Sequence, residues 1–203
     1  VTGNTGLFNR RFGSNFVPLP PFQVPAVGTM APDFNLPRVE NREVRLSDYR
    51  GKQPLVLAFT RIFTEKLFCP FCYPHIQDLK ERYEEIRERG AELLMISSTD
   101  PVQSQQVVEQ LDLPYPFLYD PDCTTFRRYG VGQALGAPLP AQFIINREAR
   151  ITFRHLFSFV DSNAEIDTIL AELDKLAENR QEATENLNQE SEFRSQNIQH
   201  RSF

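Results

Sequence analysis

Tryptophan is absent from the 203 residues, and cysteine, histidine and methionine are sparse at three, three and two. Three cysteines are too few for the disulfide framework that staples small secreted domains. A structural zinc site needs four ligands, and the candidates beyond Cys69 and Cys72, namely Cys123, His75, His155 and His200, form no second close pair. No apolar run approaches the ~20 residues that cross a bilayer. With 22 basic against 27 acidic residues the net charge is −5, and no basic stripe offers a footprint for nucleic acid. Residues 1–26 lack the basic-then-apolar order of a secretory signal. Free thiols then point to a reducing cytoplasm. The chain starts at Val1, so a lumenal or periplasmic home after removal of a leader stays open.

What is present is organised around one stretch. The apolar run Leu55 to Phe59 leads into a ten-residue loop that ends in Cys69-Pro70-Phe71-Cys72. From Tyr73 to Arg89 the pattern is helical, with Ile76, Leu79, Tyr83 and Ile86 recurring at three- and four-residue intervals and Gly90 at the C-cap. Cys69 therefore lies at or just before a helix N-terminus, with Pro70 at the first helical position. Unpaired N–H groups and the helix dipole stabilise a thiolate there, lowering a cysteine from about pKa 8.5 to roughly 3.5–7.5. Cys72, one turn in and more buried, can reach back to Cys69. The pair can cycle between dithiol and disulfide, which requires no bound cofactor. Burial as two inert small side chains is the alternative.

Read in order, the chain divides at about 26 and 178. Residues 1–26 form an arm without acidic residues or lysine, carrying Phe8, Phe12, Phe16 and Phe22 and four prolines. Two roles are open for it: wrapping its own domain over an apolar patch, or docking to another protein. Residues 27–178 carry the domain. A strand around Phe34 and another over Glu43–Leu46 make an N-terminal hairpin, and Ser47 caps a single turn. Leu55–Phe59 and Ala91–Ser97, apolar on both faces, are central strands of a βαβ unit. Asp100 caps a helix that runs to Leu111, with Pro101 at its first position. Phe117–Tyr119 is a short strand, and Thr124–Tyr129 a short helix with Cys123 at its start. Pro140–Asn146 and Arg150–Phe157 form an antiparallel hairpin. Asn163 caps a last helix whose buried face holds Ile166, Ile169, Leu170, Leu173 and Leu176. Residues 179–203 are a polar tail, expected to be disordered or loosely helical.

Three segments carry a resemblance: Gly28-Thr29-Met30-Ala31-Pro32-Asp33-Phe34-Asn35-Leu36, Leu46-Ser47-Asp48-Tyr49-Arg50-Gly51-Lys52 and Pro140-Ala141-Gln142-Phe143-Ile144-Ile145-Asn146. With the element order, they resemble the alkyl hydroperoxide reductase/thiol-specific antioxidant family, which contains peroxiredoxins and their thioredoxin-like relatives. The resemblance implies an α/β thioredoxin-like fold: a central mixed sheet flanked by helices, with an N-terminal hairpin extension. It also implies an enzyme acting on disulfides or peroxides, regenerated by a thioredoxin- or glutathione-type thiol reductant.

Two departures from that family matter. Its peroxide-holding loop reads Pro-x-x-x-Thr-x-x-Cys, but here the proline position holds Ile62 and the threonine position Lys66, with Thr64 two residues out of place. Where its arginine precedes the far strand, this chain has Pro140, which resembles the cis-proline of thioredoxins that packs against the dithiol and positions substrate. The longer loop and the Cys69-Pro70 pair nonetheless resemble the peroxiredoxins, and Arg61 could stand in for the missing arginine or be a solvated loop residue. Three functions follow as expectations. The first is a thiol–disulfide oxidoreductase with Cys69 as nucleophile and Cys72 as resolving thiol. The second is a thiol peroxidase on the same pair, and the third a non-catalytic redoxin domain docked through its arms.

Overall fold

Strand Leu55–Thr60 is buried from end to end, and its alternating side chains supply both halves of the core. Leu55, Leu57 and Phe59 face the cluster of Phe126, Tyr129 and Phe143; Val56 and Ala58 face Ile76, Leu79, Ile86 and Ile169. A strand apolar on both faces can only sit in the middle of a sheet covered on both sides. The computed structural model describes residues 7–39 and 42–199. The first six residues of the arm and the last four of the tail, His200 among them, lie outside the described residues.

In chain order the elements are α1 (Arg10–Ser14), β1 (Asn35–Arg38), β2 (Arg42–Arg45), β3 (Leu55–Thr60), β4 (Ile62–Thr64), β5 (Leu67–Phe68), α2 (Cys72–Glu81), α3 (Tyr83–Glu88), β6 (Glu92–Ser97), α4 (Pro101–Leu111), β7 (Phe117–Tyr119), α5 (Thr124–Arg128), β8 (Gln133–Ala134), β9 (Ala137–Pro138), β10 (Ala141–Ile145), β11 (Ile151–Leu156) and α6 (Ile166–Gln199). The main sheet runs β11-β10-β3-β6-β7-β1-β2, parallel through β3, β6 and β7 and antiparallel elsewhere. This is a thioredoxin-like fold, a mixed sheet flanked by helices, with the β1–β2 hairpin as its N-terminal extension.

Several local expectations are corrected. The 3-10 turn Leu46–Tyr49 has Arg45 at its N-cap and no side-chain cap, so Ser47 does not cap it. The helix expected over Tyr73–Arg89 is two helices, broken at Arg82 (φ −109°, ψ 18°) where the guanidinium pairs with Glu85 and Asp167. Asn163 does not cap α6. Its amide donates to the Phe71 carbonyl (2.9 Å) and accepts from Gln142 (2.9 Å), and the helix begins at Ile166. Asp100 caps α4 as expected, with Gln103 Nα donating to its carboxylate at 2.8 Å, and the Gln103 side chain reaching back completes a capping box.

Of the two states open to the tail, disordered or loosely helical, the structure has the helix, continuous with α6 as far as Gln199. Ile169, Leu170 and Leu173 dock the first turns of α6, and once a helix is nucleated each further residue adds one hydrogen bond without a new nucleation cost. Neither glycine nor proline interrupts residues 166–199. At the other end the described part of the arm lies on its own domain. Leu19 and Gln133 exchange backbone hydrogen bonds at 2.8 and 2.9 Å, and Phe22 Nα donates to Gly130 at 3.0 Å.

Candidate active site

The chain leaves β3 at Thr60 and forms the tight hairpin β4–β5, so the expected loop is ordered. Ile62 pairs with Phe68 and Thr64 with Leu67, which returns the chain to Cys69 beside the point where it left. Cys69 Nα donates to the Arg61 carbonyl at 3.4 Å, closing the hairpin at its base. The Cys69 carbonyl accepts from Cys72 Nα and Tyr73 Nα, both at 3.0 Å, so a turn over 69–72 runs straight into α2. Cys72 is thus the first helical residue, Phe71 the N-cap, and Pro70 lies before the helix rather than at its first position. Asn163 steadies that cap from across the molecule through the Phe71 carbonyl.

Both thiols are free and buried, Cys69 being 3 % and Cys72 1 % exposed. The turn over 69–72 makes the two thiols neighbours, and each shifts the other's acidity. The Cys72 thiol donating to the Cys69 thiolate is the main cause that holds Cys69 down to about 6. Burial opposes this, while the N–H groups of Phe71 and Cys72 and the Arg61 charge assist. Cys72 moves the other way, because ionising it would break that bond, put a charge in a buried place and set it against the first thiolate. The helix terminus contributes as expected, but the sulfur partner contributes more.

Arg61 is not a solvated loop residue. It is 7 % exposed, its guanidinium lies 4.7 Å above the Phe63 ring and donates to the Ala134 carbonyl, and both cysteines feel its charge. Its Nε is buried without a partner, as is Thr60 Oγ1. Thr64 does not join this group. Its hydroxyl accepts from Lys66 Nα at 3.2 Å within the hairpin turn. Pro140 is buried at the head of β10, and the register that sets Ala141 against Phe59 carries it opposite Thr60, at the same end of the sheet. The expected cis bond is not formed: no peptide among the described residues is cis. The trans isomer is the lower in energy for an X–Pro bond by about 0.5–1 kcal/mol, and Leu139 Nα, bonded to the Gly132 carbonyl at 3.1 Å, brings the chain into β10 already extended.

Cys123 stands apart from the pair. It caps α5 in the left-handed region (φ 55°), and its thiol, 3.6 Å from Asn15 Nδ2, is pushed up to about 11 by burial and then by Asp120. Sequence reasoning missed Arg11 and Asn15, which α1 buries beneath the arm. Their four-residue spacing, the same as that of Phe8, Phe12 and Phe16, is the signal the sequence offers for them. His75, on α2, is also buried, its Nε2 lacks a partner, and burial lowers it to about 4.

The model of the AhpC/TSA family matches residues 27–154. Thiol-disulfide oxidoreductase ResA of Geobacillus thermodenitrificans is 32 % identical over 127 residues, 62 % of this chain and 67 % of that one. Peroxiredoxin Bcp of Escherichia coli is 25 % identical over 150 residues, 70 % of this chain and 92 % of that one. Among solved structures, the reduced 2-Cys peroxiredoxin of Plasmodium vivax superposes with a TM-score of 0.68 at 21 % identity, covering 76 % of this chain and 83 % of its own. Peroxidoxin BcpB of Mycobacterium tuberculosis gives 0.64 at 23 %, covering 75 % and 98 %. These structural likenesses speak for the fold.

Proposed function

We propose that this chain, which belongs to the AhpC/TSA family, is a thiol–disulfide oxidoreductase that works through Cys69 and Cys72. The observation that carries the reading is the turn over 69–72, which sets two free, buried thiols together at the head of α2, with Cys69 made acidic and Cys72 the reverse. The Cys69 thiolate attacks one sulfur of a substrate disulfide; that S–S bond breaks, and the departing thiolate takes a proton. In the mixed disulfide Cys69 no longer carries charge. The main cause that kept Cys72 protonated is then gone, so Cys72 can lose its proton and attack the Cys69 sulfur. The substrate leaves fully reduced, Cys69 and Cys72 become a disulfide, and either one thioredoxin-type dithiol or two glutathione-type monothiols reduce it back, leaving oxidised as a disulfide themselves.

A second reading is supported by the unpartnered Arg61 Nε beside the thiol pair. A hydroperoxide oxygen could accept from it. Cys69 would then attack the outer oxygen, release an alcohol and become a sulfenic acid, which Cys72 converts to the disulfide with loss of water. Against this, Thr64 is occupied by its own turn. Rapid mixing separates the two readings, with thiol labelling and mass shift as the readout because tryptophan is absent. A disulfide reductase reacts with peroxide at the rate of an ordinary thiol, and its Cys72→Ser variant accumulates a mixed disulfide on Cys69. Fast peroxide oxidation without trapping would transfer the assignment to the peroxidase.

A further inference from the structure

The described arm carries two charged side chains, Arg10 and Arg11, and only the second is buried, at 9 % exposure. Arg11 Nη1 donates to the Ser98 carbonyl (2.8 Å), to Ser98 Oγ (3.2 Å) and to the Ile62 carbonyl (3.3 Å); Nη2 donates to the Phe63 carbonyl. Taking a guanidinium out of water costs several kcal/mol, and a cover for an apolar patch has no need of one. What the fork does is tie β4 to the segment that follows β6. Arginine suits this because its donors are planar and rigidly spaced.

The segment it holds leads to the thiols. Ile62 and Phe63 directly follow Arg61, the Phe63 ring supports the Arg61 guanidinium, and the Arg61 carbonyl receives Cys69 Nα. Arg61 also donates to the Ala134 carbonyl. Ala134 adjoins Gln133, which the arm grips through Leu19. The arm therefore holds both supports of the Arg61 cation beside the cysteines.

We propose that Arg11 is a positioning residue for Cys69: by fixing the Ile62 and Phe63 carbonyls it keeps Arg61 against the thiol pair, so that the arm sets the reactivity of the nucleophile. The inference rests on the dithiol reading above, and it lies outside the residues that match the family. Its test is the pH dependence of Cys69 alkylation in the full-length reduced protein, which needs no substrate. In Arg11→Ala the midpoint should move up from about 6 by about half a pH unit, with about a twofold slower reaction at the original midpoint. Millimolar guanidinium should restore it. Arg61→Met should give a shift of the same sign, and adding Arg11→Ala to it should change nothing more, because both act through one cation. Should Arg11→Ala fail to fold, Arg11→Lys serves, since an ammonium cannot span these acceptors and a smaller shift of the same sign is expected. An unchanged midpoint in the folded variants, or a double variant that shifts further than Arg61→Met, overturns the proposal. If Cys69 of the unaltered protein is not alkylated ahead of Cys72, the dithiol reading itself fails, and this inference with it.

Discussion

At the scale of single residues, the three thiols differ by environment rather than by chemistry. Cys69 is held down to about 6 and Cys123 pushed up to about 11. Limiting iodoacetamide near pH 6 should therefore label Cys69 first by at least about a hundredfold, since the thiolate is the reactive form; peptide mass mapping reads the order. Cys72 or Cys123 reacting first would discard the assignment. His75 supplies a pH effect of defined sign. Burial lowers it from 6.5 to about 4, against a hydrogen bond to the Ala164 backbone and with help from His155. The folded state thus binds fewer protons than the unfolded one between those values, so stability is full above about pH 6.5, falls as the pH drops towards 4, and then levels off. The loss should approach about 3 kcal/mol, measurable by urea unfolding across that range. His75→Gln should flatten this slope. The spacing of Cys69 and Cys72 marked the candidate nucleophile in the bare sequence. The dependence of its acidity on the neighbouring sulfur did not show, because that follows from the turn over 69–72, which no spacing specifies.

At the scale of elements, what could be read ahead of the structure was whatever repeats along the chain. The continuous apolar runs became β3 and β6, and the Asp100-Pro101 capping signal became α4. Elements defined by a distant partner were out of reach. The hairpin β4–β5 lacks the alternation of a strand and is held from outside by Arg11. Asn163 reads as a helix cap until Gln142 and Phe71 claim its amide. Arm docking depends similarly on a place where a side chain would intrude. Gly130 (φ +61°) lies so close to Phe22 that an added Cβ would fall 2.1 Å from the Phe22 carbonyl oxygen. Backbone cannot yield as a flexible side chain does. Gly130→Ala should therefore lift the arm, at a cost on the order of 1–3 kcal/mol from the left-handed conformation alone. Limited proteolysis should cut between Phe16 and Pro25 in the variant well before it cuts the parent protein. Equal protection would show that the arm is not held at Gly130.

At the scale of the whole molecule, the two extensions of the domain differ in what they touch. The arm reaches the core through Arg11 and Asn15, whereas α6 contributes Ile169, Leu170 and Leu173 and is then exposed at the described side chains between 177 and 189, Leu187 included. α6 loses its buried face just past the half-buried Leu176. Helical hydrogen bonds on an exposed segment add little net stability, since water replaces them when they open. Truncation after Asn179 should thus remove about 20 residues' worth of helical circular dichroism, the remainder of a 34-residue helix. It should leave the unfolding midpoint in urea within about 0.5 kcal/mol of the full chain. The alkylation profile of Cys69 should not move, because among the described residues no contact of the tail leads to β4 or Arg61. Removing the arm instead should shift that profile. A tail truncation that alters Cys69 would mean that the distal half of α6 folds back on the domain or pairs with a second copy. Sedimentation of the two forms at matched concentration would then distinguish those outcomes.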